Sequence, residues 1–63
     1  MFNVRVETPS GAQSRGYDRE TEEKALAVFE RVISQLKVWP KFVADVILFD
    51  GRDEATRERI HVD

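Results

Sequence analysis

The chain has no cysteine, one histidine, two prolines and three glycines among its 63 residues. Without sulfur there is no disulfide framework and no thiolate metal site. No apolar stretch approaches the roughly 18 residues that a membrane-spanning helix needs. The start, Met1-Phe2-Asn3-Val4-Arg5, lacks the basic lead and apolar centre of a cleavable signal, so the expected setting is the cytoplasm. Nor is there an excess of one charge: 10 Lys and Arg stand against 12 Asp and Glu, a net −2. A chain so balanced is not drawn wholesale to nucleic acid or to an anionic membrane.

What remains is a single small domain over residues 1–63. A domain of this size buries only about 60% of the surface its unfolded chain exposes. Lacking disulfides and metal, it needs either a dense core or a second copy to close against. One Trp, one Tyr and four Phe serve the first, and an extra apolar face in the carboxy-terminal half serves the second, so a homodimer is expected.

Residues 2–7 alternate, with Phe2, Val4 and Val6 on one face and Asn3, Arg5 and Glu7 on the other. That is the period of a half-buried strand. Thr8-Pro9-Ser10-Gly11 is a turn by its proline and glycine. It predicts that residues 12–17 return as a weak edge strand, or else remain a loop. Asp18 reads as a helix N-cap, with Thr21 as its rival, and Glu20, Glu22 and Glu23 suit the positive end of a helix. Ala25, Leu26, Phe29, Val32, Ile33 and Leu36 form one apolar stripe, opposite Lys24, Ala27, Glu30, Arg31, Ser34 and Lys37. Trp39-Pro40 is the expected end of the helix, because the residue before proline is pushed out of helical geometry. Trp39 then either closes the end of the core or serves as a binding anchor.

Residues 42–49 form a strand with two faces. Phe42, Ala44, Val46 and Leu48 share one; Val43, Asp45, Ile47 and Phe49 share the other. Asp50-Gly51 signals a hairpin, and residues 56–62 return. For Ile60 to join Phe42 and Val46, the loop must hold an odd number of residues, such as Asp50-Gly51-Arg52. An even loop would slip the register by one and exchange the faces. The expected fold is α+β: one helix on one face of an antiparallel sheet, ββαββ with strand order 2-1-3-4. A three-stranded βαββ arrangement is the fallback.

Chemistry-bearing patterns are sparse. His61 is the only imidazole, and it lies in a terminal strand, a poor place to hold a serine triad. The carboxylates near the helix start and in the Asp50–Glu54 turn are accounted for by dipole and turn chemistry. Asp50-Gly51-Arg52-Asp53-Glu54 lacks the ligand positions of a calcium loop. Gly11-Ala12-Gln13-Ser14-Arg15-Gly16 has the glycine spacing of a phosphate loop, but Tyr17-Asp18 stands where lysine and a magnesium ligand belong. No catalytic, cofactor or metal residues are assigned, and a non-enzyme is expected.

The uncovered sheet face is more informative. On it fall Arg5, Val43, Asp45, Ile47, Phe49, Arg57, Arg59 and His61. Three large apolar residues beside cations suggest an interface, to a second copy or to another protein. Single-strand nucleic-acid binders also use aromatic and arginine side chains on a sheet. Here Phe49 is the lone aromatic, and Asp45 and Glu7 dilute the positive field. The expected interface residues are thus Arg5, Val43, Ile47, Phe49, Arg57, Arg59 and His61. A second surface is the acidic helix side around Asp18, Glu20, Glu23 and Glu30, whose simplest role is solvation.

A hairpin turning at Pro9-Ser10-Gly11, Tyr17-Asp18 opening the Glu-rich Thr21-Glu22-Glu23-Lys24-Ala25-Leu26 helix, and a second hairpin at Asp50-Gly51 resemble small phage- and prophage-encoded ββαββ proteins. Some anti-CRISPR proteins share this size and layout. The resemblance spans nearly the whole chain, but as architecture only, so no functional residue is carried over. It implies a non-catalytic inhibitor or accessory factor that covers a surface of a larger bacterial protein complex. The alternatives are a small nucleic-acid binder and a homodimeric structural domain.

Overall fold

A computed structural model of the chain describes residues 1–14, 16–38 and 41–62, with the backbone alone of Phe42. The elements run β1 (Phe2–Glu7), β2 (Tyr17–Arg19), α1 (Glu22–Leu36), β3 (Phe42–Asp50) and β4 (Asp53–Val62). The strands form one antiparallel sheet in the order β2-β1-β3-β4. This is the ββαββ arrangement expected from the alternation and the helical stripe.

The core lies between α1 and one sheet face. Val4 from β1, Val46 and Leu48 from β3, and Ile60 from β4 meet Ala25, Phe29, Val32 and Ile33 of the helix. Phe2, Val6, Val28, Leu36 and Val62 close its margins. Leu26 departs from expectation. It is 38% exposed, at the margin of the stripe, and half-buried Val28 occupies the other margin.

Thr21, not Asp18, caps the helix. Its backbone is extended, its Oγ1 accepts the Lys24 N–H at 3.3 Å, and its carbonyl accepts the Ala25 N–H at 3.0 Å. Asp18 is instead part of β2, opposite Asn3, whose amide donates to its carboxylate at 2.7 Å. At the other end the helix stops at Leu36, and Lys37 donates its N–H to the Ile33 carbonyl. The two residues that follow, Lys37 and Val38, are both exposed. The expected stop at Trp39-Pro40, and both roles weighed for Trp39, lie outside the described residues.

The first return strand is shorter and later than residues 12–17. Gln13 bridges Glu7, Ser14 donates its N–H to the Val6 carbonyl, and regular pairing begins only at Tyr17. Gly16 passes against the Asn3 side chain so closely that a Cβ there would lie 2.6 Å from Asn3 Oδ1. This segment contributes almost no apolar surface, so its course is set by polar contacts with β1.

The second hairpin solves the phase problem differently from an odd loop. Asp50 pairs with Asp53, leaving the two-residue turn Gly51-Arg52, and Phe49 pairs with Glu54. Leu48 then pairs with Thr56, so Ala55 is an extra residue. This β-bulge supplies the one-residue shift that the even loop lacks. Ile60 consequently sits opposite Ala44 on the helix side, as the core requires. Gly51 holds the positive φ of 63° that opens the turn, and its N–H ties back to the Met1 carbonyl at 2.9 Å.

Candidate functional site: the ion-paired open face

The face of the sheet opposite α1 carries alternate residues of three long strands. Register places Arg5, Ile47 and Arg57 in one row, and Glu7, Asp45 and Arg59 in the next. Asn3 and Glu54 flank Phe49, and His61 faces Val43. All eight residues expected on this face, Asp45 among them, are on it.

Asp45 is the hub. It is 6% exposed, yet both carboxylate oxygens are engaged. Arg57 Nη1 donates to Oδ2 at 2.6 Å and Arg59 Nε to Oδ1 at 2.9 Å. The Arg59 hydrogen bond, reinforced by Arg57, holds the Asp45 carboxyl below the usual aspartate value of 3.8 against the opposing effect of burial. Reciprocally, Asp45 pushes the Arg59 guanidinium up, and Glu54 followed by Asp45 pushes up that of Arg57. Both arginines are held firmly in their charged state.

Arg57 spans three carboxylates. Its Nε and Nη2 both donate to Glu54 Oε1, at 3.0 and 2.8 Å. Its Nη1 lies 3.7 Å from Glu7 Oε1 as well as on Asp45. The pairing with Glu54 depends on the bulge, because Ala55 as an extra residue puts positions 54 and 57 on one face. From Glu7 the network runs on. Gln13 donates to Glu7 at 2.8 Å, Arg5 donates to Gln13 at 3.4 Å and to Asn3 at 2.7 Å, and Asn3 reaches Asp18. A continuous polar chain therefore crosses all four strands. The Arg5 guanidinium also lies over the Phe49 ring, 5.4 Å from its centroid.

This network changes what the face offers. Ile47, expected to be a solvent-facing contact, is only 1% exposed, and Val43 and Phe49 are half-buried. Directly opposed side chains in an antiparallel pair lie about 5 Å apart. Arg5 and Arg57 on either side of Ile47 can thus cover it with their apolar stems while their heads stay in the ion-pair network. A second copy finds less apolar surface here than the residue types suggest.

A cavity of about 190 Å³ lies between the Thr8–Gly11 turn and the Arg57, Arg59, Glu7 and Asp45 side chains. It is smaller than the clefts of roughly 300–1,000 Å³ that hold most ligands. Its two cations already face two carboxylates. Among the described residues, no group of three His, Asp or Glu is placed to hold a metal ion. Ser14 Oγ accepts the Val6 N–H, a structural use of that hydroxyl.

Asn3, Gln13, Glu54 and the hub role of Asp45 did not emerge from the residue pattern. Alternation places Asn3 and Glu7 beside Arg5, and the parity of Ile60 implies an extra residue near the second turn. Together those two signals lead to most of the network. Gln13 depends on the course of the first hairpin, which the pattern left open.

Fold and site together define an α+β domain with one face closed by a helix and the other by ion pairs. Compared with known protein families, curated proteins and solved structures, the chain matches none of them. Among the described residues, no helix is long and apolar enough to cross a membrane.

Proposed function

We propose that the protein is a non-catalytic interaction module that covers a surface of a larger bacterial protein assembly in the cytoplasm. Its role would be that of a phage or mobile-element inhibitor or accessory factor acting by steric occlusion. The observation that carries this reading is the fixed polar array on the open face. Arg57, Asp45, Arg59, Arg5 and Asn3 are held by mutual hydrogen bonds, so docking against them orders little that is not already ordered. Half-buried Val43 and Phe49 supply apolar contact at the two ends of the array. The nucleic-acid alternative is less well supported, because Phe49 is the one aromatic ring among the described residues of the face and Glu7, Asp45 and Glu54 stand among its arginines, which leaves no continuous positive track for a phosphate backbone.

The test is affinity capture from bacterial lysate with the whole protein as bait, beside Phe49→Asp and a helix-side control, Glu30→Lys. A partner retained by the unaltered protein and the control but lost by Phe49→Asp is the expected result. Equal retention by all three moves the contact off the open face and overturns this reading. Far-ultraviolet circular dichroism of each bait confirms that the fold is intact.

A further inference from the structure

We propose that the outer edge of β4 receives an extended acidic–apolar segment of a partner protein as a fifth strand. The inference rests on the reading of the protein as an interaction module and specifies how a partner docks. The two sheet edges are unequal. β2 offers three residues, whereas β4 offers ten, exposed without interruption from Asp53 to Arg59. In an antiparallel ladder every second residue of an edge strand turns its N–H and C=O outward, a template for another strand.

The charge on β4 selects the occupant. On its open-face side stand Arg57, which is taken up by Glu7, Asp45 and Glu54, and Arg59, which meets Asp45 through Nε alone and whose side chain is 73% exposed and open to a further carboxylate. On its helix side stand exposed Glu58, then Ile60, which is buried in the apolar core, and half-buried Val62 at the core's margin. An open groove of about 650 Å³ follows this half of the strand, lined by Glu58, Arg59, Ile60, His61, Val62 and Lys37 of the helix end. Its volume falls in the range of about 300–1,000 Å³ typical of ligand clefts. A strand laid there places alternate residues beside the arginines and the intervening ones beside Ile60 and Val62. Glu or Asp fits the first set and Val or Ile the second.

A second copy of β4 fits poorly in the registers that pair the strand over most of its length. With Glu58 opposite Glu58 in an antiparallel pair, Arg57 faces Arg59 of the other copy. Sliding by two residues in either direction sets Arg57 or Arg59 opposite itself. Like charges directly opposed destabilise a strand pair, so these three registers, which pair the greatest length of β4, disfavour a second copy, and an acidic partner matches Arg59 better.

The test uses the whole protein with three synthetic peptides: one alternating Glu with Val, one alternating Lys with Val, and one with the Glu and Val residues in separate blocks. Amide hydrogen exchange read by NMR reports backbone pairing directly. Binding of the Glu/Val peptide is expected to slow exchange at alternate β4 amides. The Lys/Val and block peptides are expected to bind at least about tenfold more weakly, and Arg59→Gln to narrow the Glu-over-Lys preference. Unchanged β4 exchange, or equal binding of the Glu and Lys peptides, overturns strand addition. If the peptide leaves β4 unprotected while a partner is still captured through Phe49, strand addition fails and the module reading stands. If the peptide protects β4 but Phe49→Asp captures as well as the unaltered protein, the edge stands and the open-face reading fails.

Discussion

On one face of β3, Val46 and Leu48 are closed over by Phe29, Val32 and Ile33 of α1. On the other, Ile47 reaches the same burial in a row with Arg5 and Arg57, and no described element packs over it. The two faces of one strand are thus sealed by different means. The helix side excludes water with apolar side chains held in place by a rigid element. The open side does so with long polar side chains whose heads are locked by Asp45, Glu54 and Asn3. A small domain short of residues for a second layer can bury a strand on both faces in this way. The seal on the second face then depends on charge state, which the first does not.

Truncation on each side probes how different the two seals are. Leu48→Ala is expected to cost about 3–5 kcal/mol, because the helix above it cannot collapse into the space. A domain of 63 residues has a total stability of about 3–9 kcal/mol at the usual values per residue. Urea unfolding should therefore show this variant at or near the edge of folding. Ile47→Ala removes a side chain of equal burial, yet about 2 kcal/mol is expected, since the stems of Arg5 and Arg57 can settle into the gap. A loss at Ile47 as large as that at Leu48 would mean that the ion-paired cover is as rigid as a helix, and the contrast would collapse.

The helical stripe and both faces of β3 were legible in the residues because periodicity is redundant. Many positions agree, and a slip of one residue would expose all of them. Single positions with two possible uses were less legible. Asp18 and Thr21 are both good caps, and what decides between them is the pairing of Asp18 with Asn3 across β1 and β2. Nothing in Asp53-Glu54-Ala55-Thr56 marks Ala55 as the bulge, although the need for one extra residue could be read from the phase of Ile60. The burial of Ile47 was hidden for a different reason. Arginine is scored as polar along its whole length, while its stem behaves as a hydrocarbon. The extended network shared that fate, since Gln13 and Glu54 reach their partners only through turn geometry.

The charge dependence of the open face gives the last test and the smallest effect. The Asp45 carboxyl has its folded-state value pulled below 3.8 by Arg59 and Arg57. A group depressed in this way stabilises the fold where it is ionised in both states, and the contribution is lost as pH falls through the folded value. Asp45→Asn keeps the size of the side chain and removes the charge. The stability curves of the two proteins, from urea unfolding at each pH, should run parallel above about pH 5. Below 3.8 they should converge, as Asp45 becomes neutral in the unaltered protein too. Glu7 and Glu54, which also face Arg57, are present in both proteins and largely cancel in the difference. Salt at about 1 M should shrink the gap at neutral pH, because the outer arms of both arginines are reached by solvent. Curves that stay apart at acid pH would show that Asp45 acts through the geometry of its hydrogen bonds. The second face of the sheet would then be sealed by shape, as the first is, and not by charge.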